Sequence, residues 1–306
     1  MKFRCTLREL GMKKFVAYCV LLCVASVTLL AQTPTVVRHR PGPLVRDQVF
    51  HSFSLSRDMR YRVLLPAVYE ASGRFPVLYL LHGLYGDYLN WDTRTRLEEY
   101  AKATHLIIVM PDADDSWYAN SATVPADKFE DYITKDLISQ IDKNFRTLRD
   151  RHARAIAGLS MGGYASVKFG LKYPDLFIFA GSLSGAFNAA QNLDALRPEF
   201  RAKLVEVFGN EESSTRTKND VFSLLSVPHR GPLPYFYLAC GTADSFLGTN
   251  RAFAQQLSSR ELPYEYHETP GAHSWDYWDR ELQPLLHAVV HALNAENLDA
   301  PRKKRH

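Results

Sequence analysis

Ser160 stands in Gly158-Leu-Ser-Met-Gly162, between a short apolar run, Ala155-Ile156-Ala157, and a segment with helical apolar spacing, Tyr164 to Leu171. A serine hydroxyl is a weak nucleophile. It attacks a carbonyl only when a base takes its proton and a third group orients that base. The strand–turn–helix context is the one a Gly-x-Ser-x-Gly nucleophile elbow requires. Glycines on either side leave room for a tight, strained turn that lifts the hydroxyl clear of the sheet. The Met161 N–H then falls at a helix start, where it can donate to a developing oxyanion. The plainer reading, a glycine-rich turn with a structural serine, weakens once partners for Ser160 are found downstream.

Those partners follow two later apolar strands. Tyr235 to Cys240 leads into Gly241-Thr-Ala-Asp244, and Tyr264 to Thr269 leads into Pro270-Gly-Ala-His273. The order Ser, Asp, His, each after its own strand, is that of the α/β hydrolases. Asp244 has a structural alternative as the cap of a helix starting near Thr249, and His273 as a loop histidine. Rivals for the base are His267 inside a strand and His287 and His291 in the last helix; none of them is at a strand's carboxyl end. Asp276 rivals Asp244 as the acid, but it lies where a helix should begin and reads as a cap. A second oxyanion donor is expected from Leu81-His-Gly-Leu84-Tyr-Gly86, whose glycines let the Leu84 N–H face the serine. His82 is expected to hold that loop by hydrogen bonding rather than to act as a base.

The elements that must position these residues can be read from apolar patterning. Gln48 to Leu55 alternates polar and apolar residues, Ser56-Arg57-Asp58 turns, and Met59 to Leu65 returns, which predicts an antiparallel hairpin at a sheet edge. Val77–Leu81 and Leu106–Met110 are continuous apolar runs, as parallel strands covered on both faces require. Leu176 to Ser182 adds another strand. Helices are expected over 94–103, 128–145 and 275–293. Strands alternating with helices predict a doubly wound α/β sheet in one domain, mostly parallel. Gly185 to Gly231 is the least regular stretch and is read as a cap over the site.

The chain has 306 residues, 46% hydrophobic and 23% charged, which fits a globular protein with a large core and excludes a disordered chain. Its formal charge of +4 is modest. The basic tail Pro301 to His306 lacks interleaved aromatics and reads as a solvated terminus, so no nucleic-acid partner is expected. Lys13-Lys14, the apolar run Phe15 to Ala31 and the polar Gln32-Thr33-Pro34 describe a secretory signal peptide cleaved after Ala31. Met12 is an alternative start. An uncleaved anchor and a lipoprotein at Cys23 are the alternatives to cleavage; the run is short for a span, and Leu22 is large where lipoprotein processing wants a small residue. Removal of residues 1–31 leaves Cys240 as the only cysteine, which excludes an internal disulfide framework and a cysteine metal site. The organisation is thus a signal peptide over 1–31, an extended linker over 32–47, a catalytic domain over 48–295 and a basic tail over 296–306.

From Gln48 to Leu293 the chain resembles the esterase D family of α/β hydrolases. That family includes S-formylglutathione hydrolases, short-chain acetyl and tributyrin esterases, feruloyl esterases and mycolyltransferases. The resemblance rests on Leu81-His-Gly-Leu-Tyr-Gly86, Pro111-Asp-Ala-Asp-Asp-Ser-Trp-Tyr-Ala-Asn-Ser121, Tyr132-Ile-Thr-Lys-Asp-Leu137, Gly158-Leu-Ser-Met-Gly-Gly163, Gly241-Thr-Ala-Asp244 and Gly271-Ala-His273. It implies an α/β-hydrolase fold, a triad of Ser160, Asp244 and His273, and an oxyanion hole from the backbone of Leu84 and Met161. It also implies that Trp117 and Tyr118 border the substrate pocket. The expected activity is that of an exported serine carboxylesterase for short-chain acyl or aryl esters, with no cofactor. The alternatives are an acyltransferase of the mycolyltransferase type, a feruloyl or acetyl-xylan esterase, and a hydrolase fold used only for binding. An S-formylglutathione hydrolase is disfavoured for an exported chain, because its substrate is cytosolic.

Overall fold

The computed structural model describes residues 44–70, 73–191, 198–229 and 231–299. The strands are β1 (Leu44–Ser52), β2 (Arg57–Leu65), β3 (Val77–Leu81), β4 (Ile107–Pro111), β5 (Arg154–Leu159), β6 (Phe179–Leu183), β7 (Tyr235–Gly241) and β8 (Tyr264–Thr269). They form one sheet in the order β1-β2-β4-β3-β5-β6-β7-β8. β1 and β2 pair antiparallel, and β2 also runs antiparallel to β4. Every pairing from β4 across to β8 is parallel. The helical segments are α1 (Asn90–Arg94), α2 (Leu97–Ala101), α3 (a run over 129–144), α4 (Met161–Lys172), α5 (Pro198–Phe208), α6 (Ser214–Thr217), α7 (Val221–Leu225), α8 (Leu247–Ser259) and α9 (Trp275–Asp299).

Alternation along the central strands splits the core into two layers. Tyr79, Leu81 and Ile156 pack with Ile133, Leu137 and Ile141 of α3 and Tyr164, Val167 and Phe169 of α4. Leu78, Leu80, Ala155 and Ala157 pack on the other face with Trp91, Leu97 and, from α9, Leu282, Leu285 and Val289. Strands covered on both faces must be apolar throughout, which is why β3 and β4 read as unbroken runs. The chain winds from β3 out to β4, then returns to β5 on the other side of β3. The order therefore reverses between β3 and β5, and in such sheets ligands collect in the crevice beyond the carboxyl ends at that point.

Several expectations are corrected. β1 begins at Leu44, inside the stretch read as linker, because Leu44 to Asp47 pair in register with Leu65 to Arg62. The hairpin turn is 53–56, with Ser56 at φ 52°, and Arg57 and Asp58 already belong to β2. The helix expected over 94–103 is two, α1 and α2. Thr95 is extended, and the Arg96 N–H donates to Asp279 of α9 at 2.7 Å, a tertiary acceptor in place of the helix ladder. α3 is continuous but widens into a π-helical stretch, Tyr132–Leu137. β6 starts only at Phe179, because the Leu176 N–H closes a turn onto Tyr173. α9 runs to Asp299, past the boundary at 295. The signal-peptide reading and the basic tail from Pro301 lie outside the described residues, as does the linker before Leu44. Among the described residues no helix is long and apolar enough to cross a membrane.

Candidate active site

β5 delivers Ser160 into a turn with φ 52° and ψ −113°, a conformation disfavoured for any residue bearing a Cβ and costing about 1–3 kcal/mol. The neighbourhood holds it there. The Ser160 N–H donates to Leu183 O at 2.9 Å, while its carbonyl accepts from the N–H groups of Tyr164 and Ala186. A Cβ on Gly162 would come within 2.5 Å of the carbonyl oxygens of Leu81 and His82, so only glycine lets the helix start lie against the end of β3. The Met161 N–H, first of α4, belongs to the donors that a helix leaves without an intrahelical partner.

Ser160, His273 and Asp244 form a hydrogen-bonded chain. Ser160 Oγ lies 3.0 Å from His273 Nε2, and His273 Nδ1 lies 2.9 Å from Asp244 Oδ2. The other Asp244 oxygen accepts from the Phe246 N–H at 2.8 Å, so the carboxylate also shapes its own loop. Burial works against this charge. Hydrogen bonds from His273, the Phe246 N–H and Ser184 nevertheless hold the Asp244 pKa below the usual carboxylate range. The Trp278 indole N–H donates to Ser184 Oγ at 3.1 Å, and the same ring meets the His273 imidazole edge-on at 4.8 Å. Phe246 packs against His273 from another side, at 5.2 Å. Ser184, Trp278 and Phe246 escaped the sequence reading: a serine at a strand end and an aromatic in a helix carry no local signal of what they touch.

The rivals are placed elsewhere. Asp276 is exposed in the first turn of α9. His267 pairs with Glu265 at 2.9 Å, and His287 and His291 are exposed on α9. All three histidines line a groove of 840 Å³ with Tyr235 and Tyr237, and none of Ser160, Asp244 or His273 borders it.

Gly83 brings the loop after β3 against the elbow: a Cβ there would meet Leu159 Cδ1 at 2.6 Å and Ser160 Cβ at 3.4 Å. Leu84 follows, partly buried against the core. Tyr85 sits at φ 59°, and its N–H is held by Asp115 at 2.7 Å. His82 is buried. Its Nε2 accepts from the Ala113 N–H at 3.1 Å, which leaves Nδ1 to donate to Gly83 O at 2.8 Å. Burial pushes the His82 imidazole below the usual histidine range, in keeping with this neutral tautomer.

Trp117 and Tyr118, expected to border the substrate pocket, are 3% and 0% exposed. Trp117 packs edge-on to Tyr164, Phe200 and Phe208, and the Tyr118 hydroxyl donates to His82 O at 3.1 Å. They brace the site from below. Their burial follows from packing with α4 and α5. Among the described residues no three His, Cys, Asp or Glu side chains gather in a way that would hold a metal ion.

The profile of the family described as "Putative esterase" matches residues 52–289. An acetyl esterase of Caldicellulosiruptor saccharolyticus is 27% identical over 217 residues, 68% of this chain and 81% of that protein. Esterase Rv1288 of Mycobacterium tuberculosis is 29% identical over 262 residues, 77% of this chain but only 57% of that relative's length. Among solved structures, the fluorophosphonate-binding serine hydrolase FphF of Staphylococcus aureus superposes with a TM-score of 0.74 at 29% identity, covering 81% of this chain and 99% of that one. With a family match spanning most of its length and an eight-stranded sheet of the matching architecture, the chain belongs to the esterase family of α/β hydrolases.

Proposed function

We propose that this esterase is an exported serine carboxylesterase acting on short-chain acyl or aryl esters, with Ser160 as nucleophile, His273 as base and Asp244 as the orienting acid. The observation that carries the reading is the continuous chain from Ser160 Oγ through His273 to Asp244, at 3.0 and 2.9 Å. His273 Nε2 takes the hydroxyl proton as Oγ attacks the ester carbonyl. The Leu84 and Met161 N–H groups receive the oxyanion, whose stabilisation by fixed donors is worth about 3–4 kcal/mol per donor in comparable enzymes. The imidazolium then protonates the leaving alcohol, and an acyl-enzyme remains on Ser160. Water, deprotonated by the same imidazole, releases the acid. Asp244 keeps Nδ1 as the protonated nitrogen throughout and stays ionised, in line with its lowered pKa. Export is supported by Lys13-Lys14 ahead of the apolar run Phe15 to Ala31.

The test combines a fluorophosphonate probe with p-nitrophenyl esters of graded acyl length, methyl ferulate and acetylated xylan. The wild-type protein should be labelled and should turn over the short or aryl esters. Ser160→Ala should fold, lose labelling and lose about 10⁴-fold or more of turnover. Labelling or turnover that survives in Ser160→Ala would sink the assignment.

A further inference from the structure

Lys168, on α4, is buried at 0% exposure and takes no part in the proposed chemistry. Its Nζ lies 2.7 Å from Tyr118 O and 3.4 Å from Trp117 O. Those two residues are consecutive, bear bulky side chains, and sit at φ 51° and 54°, in the left-handed region. Such strain persists only where surrounding contacts over-determine it. Part of the hold is apolar, through Trp117 against Tyr164, Phe200 and Phe208. Another part is the Tyr118 N–H on Ser116 Oγ at 3.1 Å. The inward-facing carbonyls need a donor, and the ammonium supplies it to both.

We propose that Lys168 is a positioning residue for the oxyanion loop: it gathers the carbonyls of Trp117 and Tyr118 and, through the Tyr118 hydroxyl on His82 O, fixes the backbone that presents the Leu84 N–H. This rests on the serine-esterase reading above.

The charge around the ammonium makes its role visible in solution. Glu130 of α3 lies 3.5 Å away through Oε2, and its Oε1 is held by Lys172 and, at 2.6 Å, by the Tyr173 hydroxyl. The rings of Phe169 and Tyr164 lie 4.9 and 5.6 Å from Nζ, and Tyr164 is in turn influenced by Glu130 and Asp220. Burial lowers the Lys168 pKa to about 7 even though Glu130 opposes the shift; Lys172 adds to the lowering. An apolar side chain of the same length would fill the site without this desolvation cost, so the retained amine points to a task. The ammonium is present below that pKa and is lost as pH rises through it. The loop brace therefore weakens on the alkaline side.

The experiment measures kcat and KM of the full chain on p-nitrophenyl acetate from pH 5.5 to 9.5. Wild type should show a fall in kcat on the alkaline side, centred near the Lys168 titration. Lys168→Met should lower kcat about tenfold or more at acidic pH, leave KM within about twofold, and lose the alkaline fall. Glu130→Gln removes the carboxylate that favours the ammonium, so its alkaline fall should move to lower pH; it serves as the test should Lys168→Met not fold. Wild-type kcat in folded Lys168→Met, an alkaline fall that persists there, or an unmoved fall in Glu130→Gln would overturn the proposal. Fluorophosphonate labelling of wild type separates the cases: labelled enzyme with these results refutes only the role of Lys168, whereas unlabelled enzyme refutes the serine-esterase reading itself.

Discussion

At the scale of single residues, the proposed acid is the assignment most open to direct attack. Asp244 is buried and bonded to His273, whereas Asp276 is exposed at the start of α9. Replacing an orienting acid by Asn preserves shape but favours the wrong imidazole tautomer, which in the serine-protease precedent costs about 10⁴-fold. A helix-start carboxylate contributes only about 1 kcal/mol of stability. Asp244→Asn should therefore be folded and nearly inactive, and Asp276→Asn should keep its turnover with a slightly lower Tm. Kinetics and thermal unfolding of both variants decide it; a kinetic loss falling on Asp276 instead would remove Asp244 from the triad. Trp278 extends the same reasoning, since its indole touches His273 and its N–H holds Ser184, whose side chain helps keep the Asp244 pKa low.

At the scale of elements, the elbow works because two backbones touch. Gly162 lies where any Cβ would strike the carbonyls of Leu81 and His82 at 2.5 Å, and backbone cannot swing aside as a side-chain tip can. Gly162→Ala should cost about 1–3 kcal/mol, the usual range for overpacking. Gly248, in the first turn of α8, meets nothing within 4 Å, so Gly248→Ala should gain about 0.5–1 kcal/mol through helix propensity and a less flexible unfolded chain. Urea unfolding of the pair would measure both signs. Equal destabilisation by the two substitutions would contradict the close approach of α4 to β3. The same elements explain the break between α1 and α2. Asp279 of α9 accepts from the Arg96 N–H and side chain, and this tertiary bond fixes the extended Thr95 between the two short helices.

At the scale of the molecule, the site lies where the strand order reverses, between the ends of β3 and β5. The 840 Å³ groove with His267, His287 and His291 lies apart from it, so substitutions there should leave turnover unaffected. The proposed export makes a separate prediction for the whole chain. Expressed with its native N-terminus, the protein should be recovered with a first residue at or near Gln32, since the run Phe15 to Ala31 is short for a comfortable span. Intact mass or N-terminal sequencing checks it, and full-length chain in the membrane fraction would favour an anchor.

Local chemistry made much of this legible before any coordinates. Glycines around Ser160, continuous apolar runs at Val77–Leu81 and Tyr235–Cys240, and polar residues just after those runs are signals carried by a few adjacent residues. They named the three side chains that the fold draws together, and they set the mostly parallel sheet. Long-range packing decided the rest. His273 lies 113 residues from Ser160 and 29 from Asp244, and only the assembled sheet brings the three within hydrogen-bond distance. The helix expected over 94–103 broke on a partner 183 residues away. The family resemblance implies that Trp117 and Tyr118 border the pocket, yet their burial depends on α4 and α5 closing over them. Lys168 reads as one more polar residue on a helix; only the packed layers turn it inward, 50 residues from the carbonyl it holds. Periodicity and turn chemistry act over a few residues, whereas burial and pairing are properties of the assembled layers, and that difference sets the division.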